Sequence, residues 1–230
     1  MDEVGCESQT PAHIPEQFAL PAGLDLRTML EPYDSKLRKP YVKFAGAGGE
    51  PLDEQLWPES VDDAIAMIAQ HSEPRSIILM LEELDVAPSP FAEMLRPFLP
   101  FTNLTAHVYI SNQGASALKN HTDTTEVLVL QLLGRKEWLH CREREPVVLP
   151  WLPAAAKSAL SAKTSMCQTY EANEMALESL ECDRIVTAPG DVFHLPRRTI
   201  HSARAVAGEM SVHLTPVSYT HLTLPTILLV

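Results

Sequence analysis

From Leu104 onward the chain is cut into short apolar or alternating segments, and this limits its possible folds more than any other feature. AHVYIS, TEVLVLQLL, KEWLHC, PVVL, RIVTA, DVFHL, TIHSARAV and MSVHLT follow one another with turn residues between them. Segments of strand length at this spacing predict an antiparallel sandwich or barrel. Gly134-Arg135 reads as a tight connection and Pro189-Gly190-Asp191 as a turn. PAAAKSALSAK, from Pro153, reads as a surface helix inserted between strands.

Upstream the texture differs. Ser60 followed by Asp63 looks like a helix start, with serine capping and acid in the first turn. Val61, Ile65 and Ile68 then share one face at helical spacing. SIILMLEEL, from Ser76, fits a buried strand or a helix, and its β-branched residues favour strand at the start. Ser89-Pro90 opens a further short helix. The expected organisation is a loose leader over 1–25, a helical or mixed part over 26–100, and a β core over 101–216. The fold class is mainly β with upstream helices, and no internal repeat is visible.

A chain of 230 residues can bury one sizeable core. Its formal charge of −12 argues against a nucleic-acid surface spread over the whole molecule, while leaving room for a basic protein partner. Cys6, Cys141, Cys167 and Cys182 form no C-x-x-C pair, so a thiolate zinc site is not expected and free thiols are. The polar, acidic start MDEVGCESQT reads as neither a signal nor a transit peptide, and no apolar run reaches the roughly 20 residues of a membrane span. The expected setting is intracellular, cytoplasmic or nuclear. The last fourteen residues, VSYTHLTLPTILLV, resemble a translated sequencing adapter. They are read as an artefactual tail over 217–230, with the natural chain cut at about Pro216.

His121-Thr122-Asp123 is the first half of a candidate metal site. Residues i and i+2 of a strand point to the same side, so one ion can meet both. A neutral imidazole and an anionic oxygen suit Fe(II), and two histidines with one carboxylate leave coordination positions open. Alone the H-x-D pattern is weak, since about half of chains with this composition would contain one by chance. Its setting adds weight: a buried strand follows it, and GDVFHLPRRTIHS delivers His201 at the end of a turn-led strand. His194 and His213 compete for the third position. His194, before Pro196, is expected to pack or to line the mouth, and His213 to meet a cosubstrate.

HVYISNQGASALKNHTDTTEVLVLQLLGRKEWLHC resembles the metal-binding stretch of the JmjC-domain ribosomal oxygenases, a family of protein histidyl hydroxylases. PGDVFHLPRRTIHSA is similar to that family's second signature, and SVHLT to its following strand. The resemblance covers about residues 75–216. It implies a double-stranded β-helix, or cupin barrel, that requires Fe(II), 2-oxoglutarate and O2. It also implies that His121, Asp123 and His201 hold the iron and that Lys136 receives the distal carboxylate of 2-oxoglutarate. Tyr109, His107 and His213 flank the cosubstrate; His107 departs from the asparagine usual there. The expected partner is a protein substrate, a ribosomal protein in that family, with no membrane and no direct nucleic-acid contact. The family's dimerisation region and winged-helix domain, which follow its barrel, are not expected within residues 1–230. Two other readings stay open: a JmjC lysine demethylase, and a cupin scaffold that keeps its metal without turnover.

Overall fold

The computed structural model of the protein describes residues 11–20, 23–31, 34, 37, 42–69, 73–81, 105–123, 126–142, 170–171, 180–196 and 199–217. In chain order these form β1 (Ala12–Ile14), α1 (Leu26–Leu30), β2 (Val42–Ala45), α2 (Val61–Ala69), β3 (Ser76–Leu81), β4 (Thr105–Asn112), β5 (His121–Thr122) and β6 (Val127–Leu133). β7 (Lys136–Arg142), β8 (Tyr170–Glu171), β9 (Glu181–Thr187), β10 (Val192–Leu195), β11 (Ile200–Ala205) and β12 (Met210–Val217) follow. Seven strands make one sheet in the order β1-β10-β6-β12-β4-β3-β2, and five make a second, β8-β5-β11-β7-β9. Neighbours such as β6 and β10, or β7 and β11, run antiparallel. This is the expected double-stranded β-helix.

Alternation along the strands sorts residues between two environments. On β4 and β12, Ala106, Val108, Ile110, Val212 and Leu214 face outward into a core shared with Met29 and Leu30 of α1 and Ile68 of α2. The opposite faces of the two sheets meet where Val129, Phe193 and Leu195 pack against Trp138. Polar residues alternate with the apolar ones on β4 (His107, Tyr109, Ser111), opposite Thr215, His213 and Ser211 of β12. The sequence thus spends its hydrophobic half on the helical layer and its polar half on the barrel interior.

α2 starts where its cap places it. The Asp63 amide donates to Ser60 Oγ at 3.1 Å, and the Ser60 hydroxyl donates back to the Asp63 carboxylate at 2.7 Å. Such a cap contributes about 1 kcal/mol. Val61, Ala64 and Ile68 are its buried face, with Ile65 packed at the margin. Gly134 governs the β6–β7 turn: its φ is +55°, and a Cβ there would lie 1.8 Å from the Met210 carbonyl oxygen. That turn leaves Arg135 outside, its Nε donating to Glu209 at 2.9 Å, and sends Lys136 inward.

Four expectations are changed or sharpened. The leader over 1–25 contains β1, an edge strand paired with β10 and pinned by His13 Nε2, 2.8 Å from the Asp191 carboxylate. SIILMLEEL resolves as strand β3, at least through Leu81. Cys141 and Cys182 are not free thiols; they are direct cross-strand partners on β7 and β9, bonded at 2.09 Å. Their separation of 41 residues in sequence hid that opposition. Val217, assigned to the tail, is the last residue of β12 and pairs with Thr105. Residues 218–230, PVVL, the helix from Pro153 and the helix at Ser89-Pro90 lie outside the described residues. Among the described residues no helix is long and apolar enough to cross a membrane.

Candidate metal centre and anion pocket

β5 and β11 are antiparallel neighbours, and their register sets His121 directly opposite His201. The two rings lie 4.4 Å apart between centroids. Asp123 follows two residues after His121, and its Oδ2 is 3.7 Å from His121 Nε2 and 3.4 Å from His201 Nε2. One ligand atom from each of the three falls within 4.8 Å of the others.

The hydrogen bonds say which tautomer each ring holds. His121 Nδ1 is 2.7 Å from the Lys119 carbonyl and His201 Nδ1 is 2.9 Å from the Thr199 carbonyl. A carbonyl only accepts, so both Nδ1 atoms carry the proton and both Nε2 atoms present lone pairs. Burial, and then the neighbouring His121, pushes the His201 pKa down to about 4, so this ring is neutral near pH 7. Two lone pairs and a carboxylate oxygen therefore point at a common space. The backbone carbonyls fix the ring orientations as outer-shell partners do at metal sites. The donor set, two imidazoles and one carboxylate with open positions, is that of non-haem Fe(II) sites.

The far end of the same cavity is the electrostatic converse. Lys136 is fully buried, and its Nζ reaches Ser111 Oγ at 3.3 Å. No carboxylate pairs with it among the described residues, and desolvation lowers its pKa to about 7. Beside it His213, also buried, stacks on Tyr109 with centroids 4.6 Å apart and meets the edge of Trp138 at 5.1 Å. Burial first, and Lys136 second, hold the His213 imidazole well below its usual range, so it too is neutral. Its Nδ1 is buried without a hydrogen-bond partner. Desolvation, with Asp123 second, raises the Tyr109 phenol above its ordinary value, keeping it a hydroxyl. A single pocket, open to solvent, joins the two ends, lined by His121, Asp123, His201, Lys136, Tyr109 and His213 among others.

Of the residues singled out from sequence, these six come together. His107 does not line the cavity. It lies one step further along β4, with Nδ1 3.3 Å from the Tyr109 hydroxyl. His194 packs, its Nε2 donating to Glu126 at 2.8 Å on the sheet face opposite Phe193. Sequence reasoning missed Ser111, although it shares the inward face of Tyr109 at i+2, and Trp138, which shares that of Lys136. Trp138 is held by a buried chain: its Nε1 donates to Thr187 Oγ1 at 3.1 Å, and that hydroxyl donates to Gln131 Oε1 at 3.0 Å.

Comparisons with known proteins bear on the family and the fold. Ribosomal oxygenase 1 of Rattus norvegicus is 32% identical over 114 residues, covering 50% of this chain and 17% of the relative. The Aedes aegypti protein named bifunctional lysine-specific demethylase and histidyl-hydroxylase NO66 is 32% identical over 114 residues, covering 50% and 16%. The chain thus spans less than a fifth of these curated relatives. Among solved structures, YcfD, a ribosomal oxygenase from Escherichia coli in complex with cobalt and 2-oxoglutarate, has the same fold. It superposes with a TM-score of 0.51 at 15% identity, covering 92% of this chain and 49% of that one. The sequence model of the JmjC domain matches residues 81–222, well over half of the chain, and the protein belongs to the JmjC-domain family.

Proposed function

We propose that this chain is an Fe(II)- and 2-oxoglutarate-dependent oxygenase domain that hydroxylates a protein side chain. The observation that carries the reading is Lys136, a buried amine with no anionic partner among the described residues, in one cavity with the clustered ligand atoms of His121, Asp123 and His201. Burying a charge without a partner is unfavourable, and folding tolerates it where a ligand supplies the counter-charge. A metal-binding scaffold has no use for that lysine. An enzyme holding a diacid by both ends does.

In this assignment His121, Asp123 and His201 hold the iron, and Lys136 receives the distal carboxylate by a charge-assisted hydrogen bond. Tyr109 and His213 flank the diacid as neutral groups, and the unpartnered His213 Nδ1 faces this cavity as a candidate contact. When bound, iron with dioxygen supplies oxidation of an unactivated C–H bond coupled to decarboxylation of the cosubstrate. Trp138, Phe193 and Val127 exclude water from that chemistry.

The names of the relatives favour a ribosomal protein as substrate and histidine as the residue modified. The Aedes relative is also named a lysine demethylase, so hydroxylation of an N-methyl group is the second reading. The deciding experiment measures succinate formed from 2-oxoglutarate with Fe(II), alone and with ribosomal or methyl-lysine peptides. Stimulation by a histidine-containing ribosomal peptide, with a mass gain of one oxygen, supports the first reading. Formaldehyde release from a methyl-lysine peptide supports the second, and no succinate under any condition supports the scaffold.

A further inference from the structure

Gln131, on β6, is fully buried and stands outside the pocket lining, yet its side chain ties together the elements that carry Lys136, Trp138 and His213. Its Nε2 lies 2.9 Å from the Leu133 carbonyl, 3.0 Å from the Gly134 carbonyl, 2.9 Å from Ser211 Oγ and 3.1 Å from the Val212 carbonyl. The three carbonyls only accept, so the nitrogen, not the oxygen, occupies this end of the amide. At the other end Oε1 accepts from Thr187 Oγ1 at 3.0 Å. That hydroxyl accepts from Trp138 Nε1 and lies 3.3 Å from the Lys136 carbonyl. The main chain of Gln131 is fixed as well: its amide donates to the Asp191 carbonyl and its carbonyl accepts from Gly190, both at 3.0 Å.

We propose that Gln131 is a positioning residue for the anion end, acting through Lys136, His213 and Trp138 without touching a ligand itself. The strand register explains why one is needed here. β6 and β12 slip between Val212 and His213, so that Val212 pairs with Leu133 and His213 with Gln131. A bulge of this kind interrupts the ladder and re-aims the side chains beside it. The amide clamps a carbonyl on each strand of the bulge, Leu133 on β6 and Val212 on β12, and His213 is the next residue after Val212. Lys136 follows the anchored Gly134 carbonyl by two residues, and Trp138 is held through Thr187.

A methionine at this position would fill the space and remove the donor that the turn, the bulge and Ser211 share. Buried polar groups that lose a partner are unfavourable, so the strands shift to re-pair them and carry Lys136 and His213 along. Thr187→Val breaks only the Oε1 side, which separates the hold on Trp138 from the hold on the bulge. The consequence for 2-oxoglutarate rests on the proposed placement of that diacid against Lys136; the clamp itself does not.

The test compares the full chain with Gln131→Met, Thr187→Val and Ile68→Ala, the last a cavity in the outer core that lowers stability outside the pocket lining. Three quantities are read: 2-oxoglutarate affinity of the Co(II)-loaded, anaerobic protein by calorimetry, Co(II) affinity, and the Trp138 indole and His213 ring signals of the metal-free protein by NMR. Gln131→Met should move both signals, weaken 2-oxoglutarate about tenfold, the equivalent of one misaligned charge-assisted bond, and leave Co(II) affinity within about threefold. Thr187→Val should move the Trp138 signal more than the His213 signal and weaken 2-oxoglutarate by about threefold. Ile68→Ala should lower the melting temperature and change none of the three. Wild-type 2-oxoglutarate affinity in Gln131→Met, an equal loss in Ile68→Ala, or unmoved signals in Gln131→Met each overturn the proposal. Should Gln131→Met not fold, unmoved Trp138 and His213 signals in Thr187→Val overturn it instead. If wild type binds Co(II) but no 2-oxoglutarate, and both signals still move, the clamp stands and the diacid assignment falls.

Discussion

The two ends of the cavity suit ligands of opposite charge. At one end the ligand atoms His121 Nε2, His201 Nε2 and Asp123 Oδ2 converge as a site for a cation. At the other, Lys136 is buried without an anion among the described residues. The metal end is half open, the Asp123 side chain being 31% exposed, while the lysine end is sealed. Water can therefore reach the metal-ligand atoms, whereas among the described residues Ser111 Oγ is the hydrogen-bond partner of the lysine. The stability given up for function is thus concentrated at the anion end.

The largest expected effect tests that contrast. The Lys136 pKa falls from 10.5 to about 7 on burial. Below pH 7 the lysine is charged in both folded and unfolded states, and its full desolvation penalty, up to about 5 kcal/mol, weighs on the fold. Between pH 7 and 10.5 the unfolded chain binds the extra proton, so this contribution to stability rises with pH. In urea denaturation without ligand, Lys136→Met should be more stable than wild type at pH 6.5, and the gap should narrow by pH 9. A gap that does not change with pH would mean the lysine is already paired, and the contrast between the two ends would fall.

Removing the charge at the other end should leave the fold in place and abolish metal retention. Asp123→Ala takes away the anionic ligand and keeps both imidazoles. Outer-shell changes at metal sites already cost 10- to 100-fold, so loss of a ligand should weaken Co(II) binding by at least about 100-fold. Binding within threefold of wild type would mean that the ion sits elsewhere. Lys136→Ala should do the converse, weakening 2-oxoglutarate binding to the metal-loaded, anaerobic protein about 10- to 150-fold, the equivalent of one charge-assisted bond. Its metal affinity should be unchanged. Lys136→Arg should recover part of the loss, since the charge survives with another reach. If wild type and Lys136→Ala bind the diacid equally, the oxygenase reading loses its main support.

The metal end was more legible in the sequence than the anion end, for a structural reason. His121 and Asp123 are neighbours in sequence, and His201 stands at the start of β11, just after the turn-led strand β10 rather than at its end, so two short motifs carried most of it. The lysine end is assembled from β4, β7 and β12, and its residues are ordinary strand residues until the register is known. Lys136 and Arg135 are adjacent cations, and only the Gly134 turn decides that one pairs with Glu209 outside while the other is buried. Alternation would have found Ser111 from Tyr109; His107 shares their parity and stands one step further along β4, outside the residues that line the cavity. The β core was readable from its turns and periodicity. β1 was not, because its three residues are too few for their alternation to stand out, and they owe their place to β10 and Asp191. The cross-strand cysteines were hidden because only folding brings them opposite one another.

The smallest effect sharpens the picture of how the lysine is aimed. Ser111 Oγ is 3.3 Å from Lys136 Nζ and 2.9 Å from Ser76 Oγ, all three side chains being buried. The serine gives the ammonium one fixed acceptor, so it sets where the charge sits before a ligand arrives. Ser111→Ala removes that acceptor and leaves the charge. A bond of this kind contributes about 0.5–1.5 kcal/mol, so 2-oxoglutarate affinity should fall roughly 2- to 10-fold, and Co(II) affinity should not move. Calorimetry with the metal-loaded anaerobic variant reads both. A loss larger than that of Lys136→Ala would make the serine, rather than the lysine, the principal contact for the diacid. An unchanged affinity would mean that the walls of the cavity aim the lysine by themselves. The predicted middle outcome is the one expected if charge supplies the attraction at this end and Ser111 supplies only its direction.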